Sequence, residues 1–390
     1  MATPETNFST PYGDFNLFRY PVRERETGQL QTLRAWDAAD EYLLAWLFEK
    51  EISLTGSVLI ANDSFGALSL ALHASSPYCF SDSFIAHQGC RHNASVNNID
   101  ASAIHCLNSL ALPEKQLDVL LIKIPKTLAL LEDELYRFRP FIGENTLVVG
   151  AGMVKGMQRS TFELFEKIIG PTTTSLAKKK ARLIFCTPNP ESWCSSSPYP
   201  SHYKLEGSDF QIANHANVFS RSKLDIGTRL FVEYLRSGQS SNPNIKDIVD
   251  LGCGNGLLGL MAADRYPAAT VHYYDESYMA IASSQVNFEA AFGEKRKACY
   301  QANNCLDGVA PQSADLILNN PPFHQQHVIG DFIAWQMFKD SFRVLREGGA
   351  LWVIGNRHLN YHLKLKKLFG NVEVLNSDKK FVLLKSTKRF

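Results

Sequence analysis

Short apolar runs and stretches of helical spacing alternate through the second half of the chain. DIVDL (247–251) reads as a strand; glycines at 252, 254 and 256 punctuate its exit, and a leucine-rich helix start follows. TVHYYDES (270–277) reads as a strand ending at Asp275, and SYMAIASSQVNFEAA (277–291) as a helix. KACYQANN (297–304) reads as a strand closing at Asn303 and Asn304, and ADLILNN (314–320) as another ending at Asn320. DFIAWQMFKDSFRVL (331–345) has apolar residues near i, i+3, i+4, i+7 and predicts a helix. Gly348 and Gly349 are expected to turn the chain into the strand ALWVIGN (350–356), and VEVL (372–375) and KFVLLKS (380–386) to form a hairpin. Strands alternating with helices predict a mostly parallel sheet covered on both faces.

The first half repeats this order. SVLIANDSFGALSLAL (57–72) parallels DIVDLGCGNGLLGLMA (247–262), with Gly66 falling on Gly256. PYCFSDSFIAHQGCRHN (77–93) parallels 271–287, LDVLLIKIPKTLALL (117–131) parallels 314–328, and GENTLVVGAG (143–152) parallels 348–357. Four matches in one order indicate a duplication. The expected organisation is two similar α/β domains, 1–200 and 201–390. The stretch TPNPESWCSSSPYPSHY (187–203), rich in Ser, Pro and Asn, is expected to connect them.

Composition adds little. The chain has 390 residues, 45% hydrophobic and 20% charged, as in an ordinary globular protein. The first segment lacks a basic region followed by an apolar run, and no apolar stretch is long enough to cross a bilayer, so a cytoplasmic protein without membrane attachment is expected. The eight cysteines form no C-x-x-C pair, and His324 and His327 lack a third nearby ligand, so no metal is expected. Net charge is +1, as −3 over residues 1–200 and +4 over 201–390. That permits a basic face on the second half without requiring one.

The chemistry concentrates in two places. Asp250, Gly252, Gly254, Asn255 and Gly256 lie where a strand meets a helix. Glycines let backbone amides approach a ligand without a Cβ in the way, and the helix start favours an anionic group. Asp275, ending the next strand, can accept the hydroxyls of a ribose. A dinucleotide site needs G-x-G-x-x-G, whereas that final position here is Leu257. The pattern G-x-G-x-G after an acid is similar to motif I of class I methyltransferases, so the expected cofactor is S-adenosylmethionine.

The second place is Asn320, Pro321, Pro322 and Phe323, directly after the fourth strand. That strand should flank the first one where strand order reverses, which is where ligands bind in such sheets. An amino nitrogen conjugated to a ring is a poor nucleophile. The Asn320 oxygen and a proline carbonyl can each accept one N–H and so aim the lone pair. Prolines stiffen the loop, and Phe323 offers a stacking face. By itself Asn-Pro-Pro also suits a plain turn, and the tetrapeptide does not choose among guanine, adenine N6 and protein glutamine as acceptors.

Other residues are weaker candidates. Asn304 is placed either to contact an adenine ring or to make a strand-end turn. Phe219, Ser220, Asp225 and Gly227 would border the cofactor pocket, or cap a helix. Lys364, Lys366, Lys367, Lys379 and Lys380 would meet RNA phosphates, or simply form a solvated face.

The motifs FSRSKLDIGTRL (219–230), DLGCGNGLLGL (250–260), DES (275–277) and NPPFHQQH (320–327) resemble the two-domain ribosomal RNA guanine-N2 methyltransferases of bacteria. The segments 33–44, 58–69, 122–132, 163–187 and 355–371 are more similar to the large-subunit branch than to the branch acting on 16S rRNA. The resemblance implies two tandem class I methyltransferase (Rossmann-like) domains, each a seven-stranded, mostly parallel sheet, with only the second catalytic. It implies methyl transfer from S-adenosylmethionine to guanine N2 of 23S ribosomal RNA, on protein-free RNA. It puts the cofactor role on Asp250, Gly252, Gly254 and Asp275, and amino positioning on Asn320 to Phe323. The first half departs from the pattern: its glycine loop reads Asn62-Asp-Ser64-Phe-Gly66, and its tetrapeptide Lys123-Ile-Pro125-Lys126. Side chains at Asn62 and Ser64 would crowd a cofactor, so this half is expected to bind RNA or support folding. Two other readings stay open: a different planar amino acceptor, and a non-catalytic ribosome assembly factor.

Overall fold

The computed structural model describes residues 5–22, 33–193, 195–219, 224–238, 244–293, 296–322 and 327–389; the side chains of 192 and 327–331 lie outside the description. The chain forms two compact units, Met1–Pro198 and Tyr199–Phe390.

In the first unit a small hairpin, β1 (Asn7–Thr10) and β2 (Gly13–Asn16), precedes α1 (Ala38–Glu49). There follow β3 (Val58–Ala61), α2 (Ala67–Ala71), β4 (Tyr78–Ser81), α3 (Phe84–Val96), β5 (His105–Asn108), β6 (Leu117–Lys123) and α4 (Leu128–Phe138). Then come β7 (Ile142–Met153), α5 (Arg159–Ile168), β8 (Thr172–Thr174) and β9 (Ala181–Cys186). The strands order as β5-β4-β3-β6-β7-β9-β8, seven in all, with β9 antiparallel to both its neighbours and the other pairs parallel.

The second unit opens with a hairpin, β10 (Ser201–Lys204) and β11 (Gln211–Asn214), and α6 (Ile226–Arg236). It continues with β12 (Asp247–Leu251), α7 (Leu257–Arg265), β13 (Thr270–Asp275), α8 (Tyr278–Phe292), β14 (Ala298–Ala302) and β15 (Ala314–Asn319). It ends with α9 (His327–Val344), β16 (Leu345–Asn356), α10 (Tyr361–Phe369), β17 (Glu373–Ser377) and β18 (Phe381–Thr387). Strand order is β14-β13-β12-β15-β16-β18-β17, the first unit's order element for element. The duplication reaches single positions: β7 and β16 share one burial pattern over 12 residues.

Each sheet is covered on both faces, as apolar runs buried on two sides require. In the second unit Ile248, Val271, Tyr273, Leu316 and Leu318 face α6, α7 and α8, while Val249, Leu251, Ile317, Leu351 and Val353 face α9 and α10.

Three expectations about elements need correction. Gly348 and Gly349 do not break the chain before a strand; β16 starts at Leu345 and runs through them. The ladder absorbs them as an irregularity: Ala314 pairs with Leu345 but Leu316 pairs with Ala350. Arg346, in the extra stretch, bridges Asp315 and Asp247 at 2.8 Å each, which fixes the bulge to the strands beside it. The strand expected to end at Asn320 ends at Asn319, and the helix expected from 331 starts at His327.

Candidate functional site

β12 and β15 are adjacent parallel strands in which Leu251 pairs with Asn319, so the loops that leave them, 252–256 and 320–322, start side by side. Asn319 Nδ2 donates to the Leu251 carbonyl at 2.8 Å and ties the two loop origins together. β13 flanks β12 on the other side and ends at Asp275. The tertiary structure thus gathers Gly252, Gly254, Gly256, Asp275 and Asn320 at one end of the sheet, at the switch in strand order where ligands bind in open α/β folds.

The glycine loop leaves β12 in the left-handed region: φ is +70° at Gly252, +55° at Gly254 and +76° at Gly256. Only glycine adopts this repeatedly without strain. The positions differ in surroundings. A Cβ on Gly256 would lie 2.5 Å from Ser284 Cβ and 2.8 Å from Ser284 Cα, so this glycine exists for packing against α8. A Cβ on Gly254 would meet nothing within 4 Å, so its outer side is open space. The Gly254 amide donates to Asp275 Oδ2 at 2.9 Å, while Asp275 Oδ1 accepts from Ser277 N at the start of α8.

Two expected cofactor residues sit behind the loop. Period-two alternation along β12 puts Asp250 with Ile248 on the α7 face. Asp250 is 1% exposed, and its Oδ2 accepts from Gly259 N of α7 at 2.7 Å. Burial pushes its pKa up to about 8, helped by the negative charge of Asp275 and opposed by that bond. Asp250 therefore braces the start of α7, and its carboxyl is not presented to solvent. Asn255 turns its amide to the β10–β11 hairpin, donating to Asn214 Oδ1 at 3.0 Å, and its carbonyl accepts from Asn287 Nδ2 at 2.9 Å. Asn304 is buried just past β14 and accepts from Gln336 Nε2 of α9 at 3.3 Å.

Asn320 continues the alternation Leu316, Leu318 on the face of α6. Its Nδ2 donates to Thr228 Oγ1 at 3.0 Å. Its Oδ1 is buried and, like that of Asn319, has no hydrogen-bond partner among the described residues. Pro321 is buried and Pro322 half-buried; Phe323, like Ser220, His324 and the surroundings of His327, lies outside the described residues. Asp225 caps α6, accepting from Thr228 N at 3.1 Å, so the capping alternative holds for it. A Cβ on Gly227 would lie 3.1 Å from the Phe381 ring, and Phe219 is exposed. Lys366, Lys367, Lys379 and Lys380 are exposed on α10 and the turn before β18, and Lys364 is half-buried. Among the described residues no His, Cys, Asp and Glu group is arranged to hold a metal, and no helix is long and apolar enough to cross a membrane.

The sequence reading missed Thr228, Asn319 and Gly259. A signal for Thr228 was present in the repeat, because Asp225-x-x-Thr228 falls on Asp37-x-x-Asp40, each pair opening a helix.

In the first unit, Asn62 keeps the left-handed conformation of Gly252, at φ +64°. Its amide donates to Glu134 Oε2 and the Lys123 carbonyl, tying the loop to α4 and to the end of β6. Ser81 stands where Asp275 stands in the repeat and, like it, accepts from the next helix start, Ser83 N, at 3.1 Å. Lys123, at the repeat position of Asn320, bonds Asp37 and Asp40 at 2.9 and 2.6 Å.

Comparison with known proteins agrees with this division. Residues 5–190 match the RLMG N-terminal domain family, and residues 209–385 the methyltransferase small domain family. A protein of Streptomyces avermitilis named ribosomal RNA large subunit methyltransferase G is 46% identical over 98% of this chain and 99% of its own length. One of the same name from Aeromonas salmonicida is 45% identical over 99% of this chain and 100% of its own. The T. thermophilus 16S rRNA N2 methyltransferase, solved with AdoMet and guanosine, superposes with a TM-score of 0.73 over 98% of each chain, at 19% identity, which shows a shared fold. Full-length identity of that order to two such proteins means that the chain belongs to the ribosomal RNA large subunit methyltransferase G family.

Proposed function

We propose that this protein methylates the exocyclic N2 of one guanine in 23S ribosomal RNA, on protein-free RNA in the cytoplasm, with the chemistry in the second unit. As a member of its family the chain is an S-adenosylmethionine-dependent methyltransferase of ribosomal RNA. The observation that carries the finer reading is the Asn320 side-chain oxygen: a buried acceptor without a partner among the described residues, on the loop beside the glycine loop. Such an atom is costly to bury alone, and a donor from a substrate would satisfy it.

The residues around the glycine loop fit the cofactor. Open space outside Gly254 leaves a cradle that a side chain would fill, and Asp275 lies at its rim. Gly252 and Gly254 would let the cofactor approach the backbone, Asp275 would accept its ribose hydroxyls, and Asn304 would meet its adenine. Gly256, Asp250 and Asn255 act from behind, through α8, α7 and the β10–β11 hairpin. When bound, S-adenosylmethionine supplies a methyl group on a sulfonium, an electrophile that needs no metal or base to activate it.

The work left to the chain is alignment. The Asn320 oxygen and the Pro321 carbonyl would each accept one N–H of the guanine amino group. Held at both hydrogens, the nitrogen would give up conjugation with the ring and present its lone pair for methylation, and its surplus proton would pass by way of the accepting oxygen to solvent. Pro321 and Pro322 limit motion of the acceptors, and Phe323 would stack on the base. Positioning of this kind supplies most of the rate.

The first unit, with Asn62, Ser81 and Lys123 filling the corresponding places, would bind RNA or support the fold. The test is incubation of free 23S rRNA with enzyme and S-adenosylmethionine, followed by nucleoside mass spectrometry. N2-methylguanosine is expected, and Asn320→Ala should remove nearly all of it while retaining cofactor binding. Methylation of adenine, of 16S rRNA alone or of protein alone would overturn the reading, as would full turnover by Asn320→Ala.

A further inference from the structure

We infer that Thr228, held by Asp225, fixes which end of the Asn320 amide faces the substrate, and thereby makes Asn320 an acceptor for an amino group. The inference rests on the role of Asn320 proposed above. An asparagine amide has two ends of nearly equal shape, one an acceptor and one a donor. Nothing in the Asn320 backbone distinguishes them; the neighbour does. Asp225 Oδ2 accepts from the Thr228 amide at 3.1 Å and from the Thr228 hydroxyl at 3.4 Å. An ionised carboxylate only accepts, so the single hydroxyl proton is committed to it. Toward Asn320 the Thr228 oxygen then has only lone pairs to offer, and Asn320 Nδ2 donates to it at 3.0 Å. The amide oxygen must point the other way, where it is buried and unpartnered among the described residues.

Reversing the amide would set two acceptor oxygens against each other. The locked orientation matches a guanine amino group, which donates, and disfavours placing the ring N3 acceptor beside it against the amide oxygen. The carboxylate at the far end also polarises the chain from Asp225 through Thr228 to Asn320, which strengthens the outer oxygen as an acceptor. Thr228 is thus a positioning residue that acts through Asn320. The repeat supports the pairing, because in the first unit the equivalent contact is also made, by Lys123 to Asp40, with both partners changed together.

The experiment compares Thr228→Val, Thr228→Ser and Asn320→Ala in steady-state methylation of 23S rRNA, with S-adenosylmethionine binding by calorimetry and thermal midpoints measured in parallel. Val keeps the shape of Thr without the acceptor; Ser keeps the acceptor. Thr228→Val should lower kcat roughly tenfold to hundredfold and leave the RNA KM and cofactor affinity near wild type. Thr228→Ser should recover most of the loss, and adding Thr228→Val to Asn320→Ala should slow it no further. An unchanged kcat in Thr228→Val, a loss in KM alone, or a Ser variant no better than Val would overturn the lock. If Asn320→Ala is inactive while Thr228→Val is normal, only this inference fails; if Asn320→Ala turns over normally, the underlying reading fails.

Discussion

The Lys123 ammonium lies 2.6 Å from the Asp40 carboxylate in the first unit, at the repeat positions where Asn320 meets Thr228 in the second. One scaffold contact, from the end of the fourth strand of the sheet to the third position of the helix that precedes the first, has been built twice with different chemistry. In the second unit it leaves an acceptor over. In the first it neutralises itself: burial opposes the charge on Lys123, yet Asp40 and Asp37 hold its pKa above the ordinary value. Burial outweighs the same attraction for Asp40, whose pKa rises to about 6.

That ion pair should matter for stability. Removing one partner strands the other charge in the interior, so Lys123→Met is expected to cost roughly 3 kcal/mol at pH 8. At pH 5 the loss should be smaller, because Asp40 then takes up a proton. Denaturant midpoints at the two pH values test this; equal losses would refute it.

The glycines predict a separation of effects. Gly254→Ala places a Cβ in open space at a cost of about 1 kcal/mol for its positive φ, so the thermal midpoint should move by only a few degrees. S-adenosylmethionine affinity should fall tenfold or more as the methyl group enters the cradle, on the order expected for a steric intrusion. Gly256→Ala drives a Cβ into the Ser284 backbone and should lose about 2 kcal/mol or more of stability. Calorimetry and thermal melts on both variants would expose a failure if the two behaved alike.

Asp250 gives a pH dependence. The folded protein holds its proton up to about pH 8, whereas an unfolded aspartate releases it near pH 4. The folded state therefore binds more protons over that interval, and wild-type stability falls as pH rises toward 8. Asp250→Asn keeps an acceptor for the Gly259 amide and lacks the titration. Its stability relative to wild type should improve from pH 5 to pH 8 by up to a few kcal/mol. A constant difference across that range would show that Asp250 is ionised in the folded state.

The two units should differ in ligand capacity. Calorimetry on the full chain should give one S-adenosylmethionine per molecule, and Asp275→Ala should remove it. Two equivalents, or one that survives Asp275→Ala, would contradict the assignment of the first unit as degenerate.

Much of this was legible without coordinates. The alternation of apolar runs and helical spacing implied two sheets of one topology, because each strand carries its own burial pattern and each glycine turn its own conformational demand. The glycine loop, Asp275 and the Asn-Pro-Pro step were legible for the same reason, since their chemistry is contained in a few consecutive residues. What the motif did not tell is which protein groups Asp250 and Asn255 bond, namely the Gly259 amide and Asn214. Their direction depends on which face of the sheet α7 covers and on where the β10–β11 hairpin packs, and neither is written in the motif itself.

The sequence by itself determined the elements, their repetition and the residue types at the strand ends, because those depend on local sterics and on period-two and helical patterning. Only the tertiary structure decided that Thr228 meets Asn320 across 92 positions of sequence, that Lys123 meets Asp40 across 83, and that the Asn320 amide oxygen is left buried without a partner among the described residues. The physical reason is that a hydrogen bond between distant residues is fixed by the packing of whole elements, and an unmade bond is visible only once every neighbour has taken its place.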